Sequence, residues 1–303
     1  MTNTKLHQPA GSLSDGSDPI HLTPEQAGWN YSGLRVLKLE AGVTRIVQTG
    51  EFEMAILPLS GAGMTVDCEG EHFELEGRET VFSRVTDFAY VPRDSEFEIA
   101  SADGAEVALC MAKARVKLSP KYGPAENVEV ETRGGGPATR QVTNFLTPSV
   151  WGHADRLMCC ELLTPDGNWS SYPPHKHDDS PECEVNNEEI YYFRIGTAGT
   201  TEYSVDGFGM HRTYTGPNDA AEIDENVVVA DGDAFLVPRG YHGPCIAAPG
   251  YTMYYLNILA GPSGERSMAF CDDPTHHWVR DTWEGMPQDQ RSPMTNARGV
   301  IAK

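Results

Sequence analysis

Three histidines and one glutamate carry the chemistry that this chain advertises. His175 and His177 are separated by one lysine, Glu189 follows, and His242 ends the run Val-Pro-Arg-Gly-Tyr-His. At a spacing of two, both rings of His175 and His177 project from the same face of a strand. Glu189 opens Glu-Ile-Tyr-Tyr-Phe-Arg-Ile, a strand by its aromatic and β-branched content. His242 follows the apolar run Ala234–Val237, which Pro238 terminates. β-structure or its immediate ends would therefore mount all four. Imidazole and carboxylate together suit Zn, Mn, Fe, Ni or Co, and the lack of thiolates in the set argues against a closed structural zinc site. Four protein ligands on an octahedral ion leave two positions for adjacent substrate oxygens. The structural alternative is four polar residues that only hydrogen-bond, and Glu188 competes with Glu189 for the carboxylate role.

Helical periodicity is scarce in the rest of the chain. Short apolar runs such as Arg35–Leu39, Ala55–Leu59, Phe88–Val91, Glu106–Met111, Leu157–Leu163, Ile190–Ile195 and Tyr251–Leu259 are broken by Gly, Pro, Asp and Ser. That rhythm predicts an all-β protein of sandwich or barrel type. Ala89-Tyr-Val-Pro-Arg-Asp-Ser-Glu96 can be laid over Phe235-Leu-Val-Pro-Arg-Gly-Tyr-His242, a faint internal repeat. The first half puts Glu96 where the second has His242, and it has no His-x-His. We therefore expect a polar, mobile arm over residues 1–24, a metal-free β unit over 25–133, a metal-binding β unit over 134–265, and a capping or interface tail over 266–303. Gly134–Pro137 reads as a linker or turn between the two units.

Lys+Arg 23 against Asp+Glu 44 gives a net charge of −21, which argues against nucleic acid or an anionic membrane surface as a partner. An anionic ligand would need a locally positive pocket. No apolar run approaches the roughly twenty residues of a membrane span, and the N-terminal stretch lacks the pattern of a signal peptide. The seven cysteines are scattered, with no Cys-x-x-Cys pair, which suits a reducing cytoplasm.

The ligand spacing resembles that of the cupins, double-stranded β-helix proteins. Glu189, six residues and Gly196 fit the end of their first motif and favour Glu189 over Glu188; Gly232, Pro238, Gly240 and His242 fit the second. The departure is the eleven-residue stretch 178–188 between His177 and Glu189, longer than usual and acidic, as a loop beside a pocket. Longer strings carry a closer resemblance: Gly167-Asn-Trp-Ser-Ser-Tyr-Pro-Pro-His-Lys-His-Asp178, Glu188-Glu-Ile-Tyr-Tyr192, Val237–His242, Tyr254-Tyr-Leu-Asn-Ile-Leu-Ala-Gly261 and Gly28-Trp-Asn-Tyr31. They are similar to those of the 5-deoxy-glucuronate isomerase family of inositol catabolism, with the 4-deoxy-5-hexulose-uronate ketol-isomerases as sister family.

The resemblance implies a bicupin with two jelly-roll domains, a divalent metal (Zn or Mn first) on His175, His177, Glu189 and His242, and a small anionic sugar acid as substrate. It also implies the conversion of 5-deoxy-D-glucuronate to 5-dehydro-2-deoxy-D-gluconate. An enediol path needs a base at carbon and a hydride shift does not. Tyr191, Tyr255 and Asp178 are the candidate catalytic groups, and Arg239, Tyr172 and Asn257 the candidate substrate contacts. Lys176 and Arg194 should point away from the ligand face, Lys176 toward solvent. The competing functions are the sister isomerase, a cupin dioxygenase and a non-catalytic sugar-binding cupin. Bicupins often self-assemble, and Trp278 and Trp283 in the tail are the apolar residues expected at a contact between copies.

Overall fold

The computed structural model describes residues 5–178, 183, 185–216 and 222–302. Almost all of its regular structure is β. One sheet runs Glu129–Arg133, Arg140–Asn144, Met158–Thr164, Tyr251–Ala260, Glu188–Thr197, Ala234–Val237 and, at its edge, His7–Gln8. A second sheet faces it and contains Asp224–Ala230, Phe208–Tyr214, Tyr241–Ala247, His175–Lys176 and Cys271–Asp272, with Trp169–Ser170 on Tyr241–Ala247. In the first half the long strand Phe52–Cys68 serves two sheets. Its early residues pair with Phe88–Val91 and Ala105–Lys113, and its later ones with Glu71–Arg78 and Glu96–Ser101. Every pair is antiparallel, so the chain is two curled, double-sheeted β units: the bicupin architecture.

The apolar runs are nearly continuous because both faces of the central strands are buried. Along Glu188–Thr197, Tyr191, Phe193 and Ile195 point into the second unit's own core with Phe235, Met253 and Tyr255. The alternate residues Ile190 and Tyr192 join Leu34, Val36, Ala55 and Leu57 in a core shared between the halves. A third core lies inside the first unit and holds Leu37, Met54, Ile56, Met64 and Phe97. Each such side chain contributes about 1.5–3 kcal/mol on burial. Arg194 falls on the shared face, as its alternation requires, and its guanidinium meets Asp231 at 2.8 Å and Glu106 of the other half at 2.5 Å.

Three expectations are corrected. Residues 5–24 are not a free arm: His7–Gln8 pairs with Phe235 and Ala234, and Ile20–Leu22 pairs with Ser32–Leu39. Gly134–Pro137 does not separate the two units, because it turns a hairpin whose strands, Glu129–Arg133 and Arg140–Asn144, both lie in the second unit's sheet. A glycine-rich turn and a linker share one composition, and only pairing tells them apart. Lys176 points away from the imidazoles but is buried, 3 % exposed, with its ammonium 4.9 Å from the centre of the Tyr241 ring and 3.5 Å from Asp178.

The two halves are joined by a reciprocal clasp. Glu188 accepts backbone N–H bonds from Asn30, Tyr31 and Ser32, at 2.7, 2.7 and 3.0 Å. Glu53 accepts the same from Asp155, Arg156 and Leu157, at 2.8, 2.6 and 2.8 Å. Each glutamate opens a core strand of its own half and grips the chain leading into the other.

Candidate metal centre

His175 lies directly opposite His242 across an antiparallel strand pair, with ring centroids 4.5 Å apart. His177 stands one side-chain repeat further along, 5.3 Å from each of them. One nitrogen from each of the three rings can be chosen so that all lie within 4.8 Å of one another. Glu189 arrives from the facing sheet; its Oε2 lies 3.1 Å from His242 Nε2 and 3.8 Å from His177 Nε2. The second sheet thus supplies three nitrogens and the first sheet one oxygen, across the mouth of the second unit.

Backbone carbonyls fix which ring nitrogen faces inward. His177 Nδ1 lies 2.6 Å from the Ala269 carbonyl, His175 Nδ1 3.3 Å from that of Pro173, and His242 Nδ1 3.4 Å from that of Gly240. Each Nδ1–H then donates outward, so the Nε2 lone pairs are left for the centre, the usual device for orienting imidazole ligands. The turn delivering His242 needs Gly240, whose φ of +88° is left-handed and whose missing Cβ would sit 2.7 Å from the Tyr214 carbonyl oxygen. Asp178 accepts a 2.8 Å hydrogen bond from the Gly240 N–H and so braces that turn.

The charges suit a cation. Burial, reinforced by the neighbouring imidazoles, pushes His175 well below its usual pKa, although its edge keeps some exposure. Burial also pushes His177 down against the pull of Glu189. Burial acts to raise the Glu189 carboxyl, but His242 and His177 outweigh it and hold the group below its usual range. The 3.1 Å contact of His242 Nε2 with Glu189 Oε2 is close enough for an ion pair, yet its angles make no hydrogen bond, and both atoms are buried without a partner. Two unpartnered buried atoms facing each other, beside imidazoles whose Nε2 atoms point the same way, fit the donor set of a divalent ion. Cys160, Cys183 and Cys245 are each pushed up by burial, Cys160 and Cys183 to about 12, and remain thiols. Glu188 is spent on the clasp, which leaves Glu189 as the carboxylate at the centre.

His175, His177 and Glu189 line a cavity of about 590 Å³, with His242 buried behind them, and the tail segment Arg266–Phe270 and Arg280 line its far side. Tyr191 and Asn257, cross-strand partners, both line it. The Tyr191 hydroxyl lies 2.8 Å from Ser171 Oγ, and the Asn257 amide nitrogen is buried without a partner. The other expected site residues stand elsewhere. Tyr255 is fully buried in the core behind Tyr191, with ring centroids 5.0 Å apart. Tyr172 packs against Trp169, and Asp178 supports the His242 turn instead of facing the cavity. Arg239 lines a different cavity with Trp29, Asn30 and Glu188, because the turn that aims His242 inward carries its neighbour out to the other side. Part of the long 178–188 stretch, residues 179–182 and 184, lies outside the described residues.

Spacing alone missed Glu129, Glu131, Arg133 and Arg140, which line the cavity from the hairpin at the sheet edge. Their signal is the alternation Glu-Val-Glu-Thr-Arg, which puts three charges on one strand face. It is easily taken for a solvated edge.

The chain is 39 % identical over 282 residues to a 5-deoxy-glucuronate isomerase of Geobacillus kaustophilus, covering 92 % of this chain and 96 % of that one. It is 36 % identical over 270 residues to the Bacillus subtilis 5-deoxy-glucuronate isomerase, covering 88 % and 94 %. The crystal structure of an IolB-like protein from Salmonella typhimurium superposes with a TM-score of 0.80 at 30 % identity, covering 91 % of this chain and 99 % of that one. Oxalate decarboxylase of Bacillus subtilis shares the fold at 10 % identity, with a TM-score of 0.61 over 90 % of this chain and 80 % of its own. Residues 6–279 match the KduI/IolB family, and the chain is a member of that family.

Proposed function

We propose that the protein is a metal-dependent aldose–ketose isomerase that converts 5-deoxy-D-glucuronate to 5-dehydro-2-deoxy-D-gluconate. The observation that carries this reading is the convergence of His175, His177, His242 and Glu189 at the wall of a cavity large enough for a hexose acid. The reaction named for the relatives fits such a place. Moving hydrogen between C1 and C2 of a hydroxy-aldehyde builds charge on two neighbouring oxygens. A divalent transition-metal ion, which this nitrogen and oxygen donor set suits, would supply Lewis acidity to both when bound there.

The chain's own groups complete the task. Burial and the nearby Glu189 push the Tyr191 hydroxyl well above its usual pKa, so it stays protonated and donates a hydrogen bond to a substrate oxygen. Asn257 presents its unpartnered amide from the adjacent strand. Glu129 and Glu131 also line the cavity among the described residues, although Glu131 is held by Arg133 and Asn144; an enediol path needs a carbon base, and a hydride shift needs none. The tail over the cavity limits solvent access. The scattered buried cysteines, none of them in a disulfide, suit a reducing cytoplasm.

The test is a proton NMR time course of purified protein with 5-deoxy-D-glucuronate in D2O, with 4-deoxy-5-hexulose-uronate as the competing substrate and metal content measured by mass spectrometry. We expect ketose from the first substrate only. His177→Ala should lower bound metal and turnover together by more than about 100-fold, since disturbing even a group behind a ligand costs about 10–100-fold. Full turnover by metal-free His177→Ala protein would remove the ion from the reaction.

A further inference from the structure

Four arginines line the metal cavity: Arg133, Arg140, Arg266 and Arg280. In a chain of net charge −21 such a cluster is a local inversion, and three of the four are already engaged. Arg133 pairs with Glu131 at 2.5 Å. Arg280 grips Asp272 with two nitrogens, at 2.5 and 2.7 Å. Arg266 donates to the carbonyls of Leu146, Leu157 and Trp151.

Arg140 is different. It is 6 % exposed, and its one hydrogen bond runs from Nη1 to the Ala138 carbonyl at 3.1 Å. Its Nε is buried with no partner, and no carboxylate among the described residues pairs with it. The Trp283 ring, 5.8 Å from the guanidinium carbon, holds the group in place. Burial, with Arg133 and Arg280 alongside, pushes its pKa down to about 10, so it remains a cation at neutral pH. A buried, uncompensated guanidinium is costly, and a fork with Nε and Nη2 uncommitted matches a carboxylate.

We propose that Arg140 binds the carboxylate of the sugar-acid substrate and makes the enzyme select acids over uncharged aldoses. The identity of the acid rests on the isomerase reading above. Arg140 stands on the first sheet, separated from the strand of Glu189 by Met158–Thr164 and Tyr251–Ala260. A substrate held by its carboxylate there lies along the sheet, with its aldehyde end free to reach the imidazoles. Arg133, cross-strand partner of Arg140, adds positive potential without offering a free fork.

Metal-loaded wild type, Arg140→Gln and Arg140→Lys are compared on 5-deoxy-D-glucuronate and on uncharged 5-deoxy-D-glucose. Calorimetric binding of D-glucuronate is measured in parallel, independent of turnover. For Arg140→Gln we expect the preference for acid over aldose in kcat/KM to fall about 50-fold, the size of a lost charge-assisted pair, with the loss in KM and not in kcat. D-Glucuronate should weaken similarly, and Arg140→Lys, which keeps the charge but not the fork, should recover part of both. An unchanged acid KM, or equal losses on acid and aldose, overturns the proposal. Should wild type bind D-glucuronate through Arg140 yet leave 5-deoxy-D-glucuronate unconverted, the isomerase reading fails and the carboxylate site stands. Wild type that neither binds nor converts either acid removes the site. If Arg140→Gln does not fold, Arg140→Lys against wild type decides by the same ratio.

Discussion

His175, His177 and His211 share one electrostatic circumstance: burial drives the pKa of each down, His175 and His211 well below the ordinary value. The consequence for stability has a definite sign. In the unfolded chain these rings take up protons below about pH 6.5, whereas in the folded protein they resist until a lower pH. The unfolded state therefore binds more protons as the solution is acidified. The contribution is complete above pH 6.5 and is lost as pH falls toward the folded values. Glu189, held below its usual range, acts in the same direction at still lower pH. In urea titrations of metal-free protein we expect a midpoint level between pH 7 and 8 and a loss of more than about 1 kcal/mol by pH 5. Bound metal should leave over the same acid window, because protons compete for the Nε2 lone pairs. A midpoint that holds steady down to pH 5 would contradict the burial argument.

At the level of elements, the centre depends on two short pieces of backbone held at fixed angles to each other. The strand His175–Lys176 is only two residues long and is flanked by Tyr241–Ala247 on one side and Cys271–Asp272 on the other. His242 depends on a left-handed glycine whose N–H is held by Asp178. Asp178 was expected from sequence to take part in catalysis, yet its carboxylate is turned to the backbone. Removing it should loosen the third imidazole without touching the cavity. We expect Asp178→Ala to weaken metal affinity by about 10–100-fold in a chelator competition, with Asp178→Asn, whose amide oxygen can still accept from Gly240, falling between it and wild type. Equal affinity in all three proteins would mean that the turn holds its shape unaided.

For the molecule as a whole, the duplication assigns different work to matching positions. Glu53 and Glu188 perform the same clasp in their own halves, but the residue that follows is Met54, buried in an apolar core, in one and Glu189 in the other. Glu188→Ala and Glu53→Ala each release three backbone N–H groups, of which those of Ser32 and Leu157 belong to buried residues, and an orphaned buried donor costs about 1–3 kcal/mol. Each variant should lose about 1–3 kcal/mol in denaturant unfolding. The folded fraction of Glu188→Ala should keep its metal, while Glu189→Ala should not. Metal loss from Glu188→Ala alone would reverse the roles given to these adjacent carboxylates. The tail links the same halves: Gln141 accepts from Met294 and Thr295, and the Asn296 carbonyl accepts from Val85. Trp278, 61 % exposed, remains available on the outside.

Much of the protein could be read directly from its residues. The apolar runs and their interruptions determine an all-β chain, because strand period and turn chemistry are local properties. Residue types and spacing single out His175, His177 and His242, because alternation aims the first two alike, but they leave Glu188 beside Glu189, and only the backbone bonds that engage Glu188 separate the two. Tertiary structure alone decided what surrounds them. Lys176 looked like a surface lysine and is buried; Arg239 looked like the anion contact and faces another cavity; Gly134–Pro137 looked like a linker and folds a charged hairpin back toward the centre. In each case the deciding quantity is the partner across a sheet or across the interface between halves. Strand pairing joins residues far apart in the chain, so local pattern carries no record of which strands lie side by side.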